Sequence, residues 1–258
     1  MTQYAFLLDL GRCIGCQACV VACKVGNELG EGQQYVQLIE KTRGEFPEVT
    51  TGWDNHRCFH CTDAACVAVC PTGALYKDDG LTRLDRDICS GCAYCTEACP
   101  YDIPVMYEGK SSKCDGCAAT TKAGGTPWCV GTCPSGALVY GEREEIQAEA
   151  HKRAEALRQR YPNAQVYGET QFNGLGMLVV MPDDPEKLDI PLSPTIPFMA
   201  QTWQKVVQPA AVGLTLGAAI IAGGAAVIAR RRHEVELAEL EVQGVVGNGE
   251  ATNEQEEV

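Results

Sequence analysis

The chain has 258 residues, enough for one or two domains, with a formal net charge of −13 and only 7% aromatic residues. That balance excludes a nucleic-acid binder, which needs a basic surface for phosphates and rings for bases. Its sixteen cysteines, about 6% of the chain, are too dilute for a short disulfide scaffold. They also fall in groups of four, mostly two or three residues apart, a pattern that disulfide pairing does not produce.

In chain order, Met1–Leu10 has neither a basic n-region, nor a full-length apolar core, nor a twin-arginine pair, so no secretory signal is expected. Tyr4–Asp9 reads as a short strand leading to the first cysteine run, Cys13, Cys16, Cys19 and Cys23. Gly15 lets the backbone of that run pass close to whatever the thiols hold, and Lys24 stands where the other three runs have Pro71, Pro100 and Pro134. Residues 25–57 form a glycine-punctuated insertion, expected to be irregular surface with a strand at Tyr35–Glu40.

Run two is Cys58, Cys61, Cys66 and Cys70; run three is Cys89, Cys92, Cys95 and Cys99; run four is Cys114, Cys117, Cys129 and Cys133. The spacing of run three, C-x2-C-x2-C-x3-C-P, is that of bacterial ferredoxins, in which three cysteines hold one [4Fe–4S] cube and the fourth ligates the partner run's cube. Sixteen thiolates thus predict four [4Fe–4S] clusters, with all sixteen cysteines as iron ligands. Taken alone, run four could be a zinc loop, and a zinc-bound interaction module is the alternative of a different class. Pro71-Thr-Gly-Ala-Leu-Tyr76 and Pro134-Ser-Gly-Ala-Leu-Val-Tyr140 echo each other, marking an internal duplication in which proline stops a helix, glycine turns and a strand begins. His56, His60, His151 and His233 are assigned no ligand role, because every run already has four cysteines.

Ile146, Ala150, Ala154 and Leu157 recur at helical spacing, predicting a surface helix from about 142 to 160. Val166–Met181 reads as a hairpin around Asn173-Gly174, and Pro182–Pro197 contains five prolines, as in an extended linker. Val206–Ala229 carries no charge and is long enough to cross roughly 30 Å of hydrocarbon. Trp203 is expected at one membrane interface and Arg230-Arg231-Arg232 at the other, while Gly213 and Gly217 offer a small-residue face to a partner helix. Positive charge beyond the helix places the C-terminus in the cytoplasm and the cysteine domain outside the plasma membrane. The predicted class is α+β, with duplicated ferredoxin-like 2[4Fe–4S] units and one C-terminal transmembrane helix. Its domains are a cluster domain 1–181 with a helix–hairpin extension from about 142, a linker 182–205, a span 206–229 and an acidic tail 230–258.

These runs, their order and the single span resemble the iron–sulfur (beta) subunit of membrane-bound formate dehydrogenases. More broadly, they resemble the four-cluster subunits that accompany molybdopterin oxidoreductases and some membrane hydrogenases. The resemblance implies nested pairing of the runs, first with fourth and second with third. One cube would then take Cys13, Cys16, Cys19 and Cys133, and another Cys114, Cys117, Cys129 and Cys23. A third would take Cys58, Cys61, Cys66 and Cys99, and the last Cys89, Cys92, Cys95 and Cys70. Spacing alone supports only the exchange of fourth cysteines and leaves a pairing of runs one and two open. The resemblance also implies a catalytic partner, of molybdopterin or hydrogenase type, and a membrane cytochrome b or quinone-reactive partner. It implies a part in anaerobic respiration and export as a folded passenger on the catalytic partner's twin-arginine signal. The chain itself is expected to transfer electrons without bond chemistry of its own.

Overall fold

The computed structural model describes residues 3–188, 190–191, 202 and 207–242. The chain divides into two compact units, Met1–Gln204 and Lys205–Val258.

The first unit is organised on a four-stranded sheet whose central strands come from opposite ends of the unit. Strand β1 (Tyr4–Asp9), as expected, pairs in parallel with the last strand, β10 (Met177–Met181). Its other edge pairs antiparallel with β8 (Leu138–Glu142), and β10 pairs antiparallel with β9 (Gln165–Tyr167). The order is therefore β8-β1-β10-β9. Side chains alternate between faces with period two. Ala5 and Leu7 of β1, with Leu178 and Val180 of β10, pack under the helix α6 (Arg143–Arg158) through Ile146, Ala150 and Ala154. Phe6, Leu8, Met177 and Val179 point the other way, into a core shared with Cys19, Cys23, Cys58 and Cys129. One face of the sheet is thus closed by a helix and the other by the cysteine runs.

Each cysteine run carries short helix: α1 (Ala18–Gly26), α2 (Ala65–Ala68), α3 (Tyr94–Ala98) and, in run four, α4 (Ala118–Lys122) and α5 (Trp128–Gly131). The echoed turns lead into strands, as expected: β4 (Leu75–Asp78) after Pro71 and β8 after Pro134. Strand β4 pairs with β5 (Leu81–Leu84), and β6 (Val105–Tyr107) with β7 (Lys110–Ser112), as two small hairpins.

The strand expected at Tyr35–Glu40 is present, but the insertion around it is not irregular surface. It is a long hairpin, β2 (Val36–Arg43) and β3 (Thr50–Arg57), paired in register from Val36↔Arg57 to Arg43↔Thr50. Its strands are mostly polar, so the apolar alternation that advertises a half-buried strand is missing over most of their length. The Val166–Met181 hairpin forms around Asn173 and Gly174, both at positive φ, but its second strand is central to the main sheet.

The second unit contains α7 (Gln208–Val242), one helix that is long and apolar enough over Ala210–Leu240 to cross a membrane. The expected span ended at Ala229; the helix continues through the three arginines, and Arg230 Nε donates to Glu234 Oε1 at 3.2 Å. Much of the predicted linker, Trp203 at the predicted interface, and the tail from 243 onward lie outside the described residues.

Candidate metal centres

In every run the residue before the second cysteine is left-handed: Gly15 (φ 69°), His60 (51°), Gly91 (72°) and Gly116 (72°). This turn aims its N–H at the first thiol of the run, so the His60 amide donates to Cys58 Sγ and the Gly116 amide to Cys114 Sγ, each at 3.4 Å. A Cβ on Gly15 would lie 2.0 Å from the ring of Trp53, which the β2–β3 hairpin lays over run one. A Cβ on Gly91 would lie 2.1 Å from the Gly109 carbonyl oxygen. Both positions need glycine for conformation and for space.

The turns gather the thiols into quartets. Cys13, Cys16, Cys19 and Cys133 line one cavity. Cys58, Cys61, Cys66 and Cys99 line another. Cys70, Cys89, Cys92 and Cys95 line a third. Around the fourth group, the Asn27 amide donates to Cys23 Sγ at 3.5 Å and reaches Cys117 Sγ at 3.9 Å, while Cys129 acts electrostatically on both of those thiols. Cys23 in turn acts electrostatically on Cys114.

The quartets also have neighbours. Cys95 acts on Cys66, Cys58 on Cys114, and Cys129 on Cys19. Through these charge interactions the quartets neighbour one another in a row: that of Cys89, then Cys58, then Cys114, then Cys13. The exposed thiols are Cys92 and Cys16, one in each terminal quartet.

Among the described residues, no three His, Cys, Asp or Glu side chains converge on a point that could hold one metal ion. A tetrahedral zinc needs each sulfur at about 2.3 Å from the metal. Thiol quartets that line one shared hollow without converging on a single point suit a guest of several atoms.

Family models described as a 4Fe–4S dicluster domain match residues 12–74 and 49–143. The thiosulfate reductase electron transfer subunit PhsB of Salmonella typhi is 42% identical over 153 residues, 57% of this chain and 80% of that protein. The B subunit of the anaerobic dimethyl sulfoxide reductase of Haemophilus influenzae is 39% identical over 161 residues, 58% of this chain and 78% of that protein. Protein NrfC of Escherichia coli is 38% identical over 164 residues, 61% of this chain and 72% of that protein. The protein belongs to the ferredoxin-like 4Fe–4S electron-transfer subunits. It binds [4Fe–4S] clusters.

The charges around the thiols fit such a guest. Burial pushes the Cys23 and Cys66 thiols up to about 12 and Cys99 up to about 11. Burial also acts on Cys70 and Cys133, but the Leu75 and Leu138 amides, with the Thr72 and Ser135 hydroxyls, outweigh it and hold both thiols below their ordinary value. Cations are buried beside the thiols: Arg57 is 2% exposed and Lys113 1%. Burial works against the charge of Arg57, yet Cys129, Cys114 and Cys19 hold it positive; Cys58, Cys66 and Cys114 do the same for Lys113. A protonated thiol would leave each cation uncompensated in the interior, whereas iron-bound thiolates balance it. Electron-transfer subunits of this family tune their clusters through such charges and hydrogen bonds.

Sequence reasoning missed the Trp53 cover, Asn27, Arg57 and Lys113. The signal was present for the last two, because a cation directly precedes the first cysteine in runs two and four. His60 is buried, with Nδ1 at 3.2 Å from the Thr82 backbone and Nε2 at 3.6 Å from Cys114 Sγ. Burial and the nearby Lys113, Lys77 and Arg83 keep its ring neutral well below the usual histidine range.

Proposed function

We propose that this protein is the electron wire of a membrane-bound oxidoreductase complex, holding four [4Fe–4S] clusters between a catalytic subunit of molybdopterin type and a quinone-reactive membrane subunit. The observation that carries this reading is the row of thiol quartets whose exposed members, Cys92 and Cys16, belong to its two ends. The proposed ligand sets are Cys13, Cys16, Cys19 and Cys133; Cys114, Cys117, Cys129 and Cys23; Cys58, Cys61, Cys66 and Cys99; and Cys89, Cys92, Cys95 and Cys70.

Bound clusters supply one-electron transfer along the row, at potentials their surroundings set. The chain's own residues do the rest. Left-handed turns aim amides at sulfur, Asn27 donates to Cys23, and Ser111 donates its N–H to Cys89 Sγ at 3.4 Å and lies 3.3 Å from Cys95 Sγ through its hydroxyl. Phe59, Tyr101 and Ile103 wall the Cys58 cavity and limit water. At the ends, Ile14 is 63% exposed beside Cys13, and Ile88 and Tyr94 are 51% and 47% exposed in run three. Exposed apolar groups beside a terminal quartet suit docking of a redox partner. Helix α7 is read as the membrane anchor, with Arg230–Arg232 on the cytoplasmic side and the cluster domain outside.

For the catalytic partner, relatives named as dimethyl sulfoxide and thiosulfate reductase subunits favour a reductase of that kind. Formate dehydrogenase is the second reading, favoured by the C-terminal apolar helix, which lies beyond the family models that end at residue 143. A hydrogenase partner would keep the wire and change only the substrate. The test is purification from native membranes in mild detergent, with mass spectrometry of partners and electron paramagnetic resonance of cysteine variants. Cys16→Ser and Cys133→Ser should damage the same cluster signal, and Cys23→Ser a different one. Recovery of a colourless protein without redox partners would sink the proposal.

A further inference from the structure

Three runs carry a cation directly before their first cysteine: Arg12, Arg57 and Lys113. Arg12 is half exposed and pairs with Asp9 at 3.3 Å. Arg57 and Lys113 are buried, and thiols lead the opposite charges acting on both, with Asp115 a smaller one on Lys113. Arg57 turns away from its own run. Its Nη1–H donates to Cys129 Sγ at 3.5 Å, while Nε and Nη2 are buried without a hydrogen-bond partner. Its charge reaches Cys13 and Cys19 on one side, and Cys23 and Cys114 on the other. On the next wall of the row, Lys113 donates to the Thr82 and Cys114 carbonyls and acts on Cys66. A buried guanidinium that faces sulfurs of two different quartets and leaves two of its three nitrogens without a partner is a poor structural brace. It is well placed as a source of field.

We propose that Arg57 is a fixed positive charge on the wall between the Cys13 and Cys114 quartets that raises the reduction potential of the clusters held by both. Reduction adds one negative charge to a cluster, and a buried cation beside it stabilises that state more than a solvated one would. The inference rests on the proposed ligand sets and extends them to the control of potential.

The test uses the full complex with Arg57→Met, Arg57→Gln and Arg57→Lys, iron content per chain, and potentiometric titration of each paramagnetic signal assigned by the cysteine variants. Arg57→Met and Arg57→Gln should lower both flanking clusters by at least a tenfold change in the reduced-to-oxidised ratio, which is 59 mV for one electron. The Cys58 and Cys89 clusters should shift far less, and Arg57→Lys should restore most of the loss. If the Met variant does not assemble, the Gln variant, which keeps donors and removes charge, carries the same expectation. Full iron content with all potentials unmoved, or with all four moved equally, overturns the inference. Absence of cluster signals in the parent complex would overturn the underlying reading instead.

Discussion

Replacing Arg153 by methionine tests how the fold holds the Cys13 quartet. Arg153 lies on α6 at 9% exposure, donating Nη1–H to the Gly136 carbonyl at 2.8 Å and Nε–H to Glu149 at 2.7 Å. The same guanidinium stands 3.7 Å from Asp9 Oδ2, whose side chain is 4% exposed. Asp9 in turn accepts from the Gly11 and Arg12 amides, at 3.0 and 3.2 Å, where the chain enters run one. Gly136 belongs to the turn that follows Cys133. One side chain therefore ties the approach to Cys13 to the exit from Cys133. Removing one partner of a buried pair costs about 3–5 kcal/mol. Arg12 remains 3.3 Å from Asp9 but is 51% exposed, so its screened contact offsets only about 0–1 kcal/mol. Loss of the contact with Glu149, a third exposed, adds little. The expected net loss is about 2–4 kcal/mol, or on the order of 10 °C in melting temperature at this domain size. The assay is thermal loss of cluster absorbance near 400 nm, parent and variants scanned anaerobically at one rate. Adding Asp9→Asn to Arg153→Met should recover part of the loss, because an amide oxygen still accepts from both backbone groups without leaving a buried charge. Equal melting of single and double variants would refute the reasoning.

Gly15→Ala puts a Cβ into the Trp53 ring at a positive φ, so the Cys13-quartet signal and its iron should be lost, and adding Trp53→Ala should return part of both. Unchanged iron in the single variant would contradict the packing argument. Asn27→Leu removes the donor to Cys23 Sγ; the Cys114-quartet cluster should fall in potential, while the Cys89-quartet cluster stays put. Lys113→Met should lower the potentials of the Cys58 and Cys114 clusters together, read by the same titration, and a shift confined to one would place the charge elsewhere.

The local chemistry was legible in the sequence. Cysteine spacing identified the cluster class, because a cube needs thiolates at short fixed intervals and a glycine-permissive turn between them. Tyr4–Asp9 was legible as a strand, and Ile146, Ala150 and Ala154 as one buried helix face, since each rests on a short-range period. Of the β2–β3 hairpin only the first strand, near Tyr35–Glu40, was legible; its partner β3 gave no apolar alternation, and the hairpin's purpose became visible only where Trp53 meets Gly15.

By itself the sequence determined what is bound, in what class of fold, and that an apolar helix follows. Tertiary structure decided which thiols meet across the molecule, the order of the quartets in a row, and the walls that Arg57 and Lys113 occupy. It also decided that β10, late in the unit, pairs in parallel with β1 at its start. The physical reason is range. Spacing and periodicity encode contacts within a turn or two of chain, whereas a thiol pairing or a buried charge depends on surfaces joined by long loops, and those are fixed only when the sheet closes.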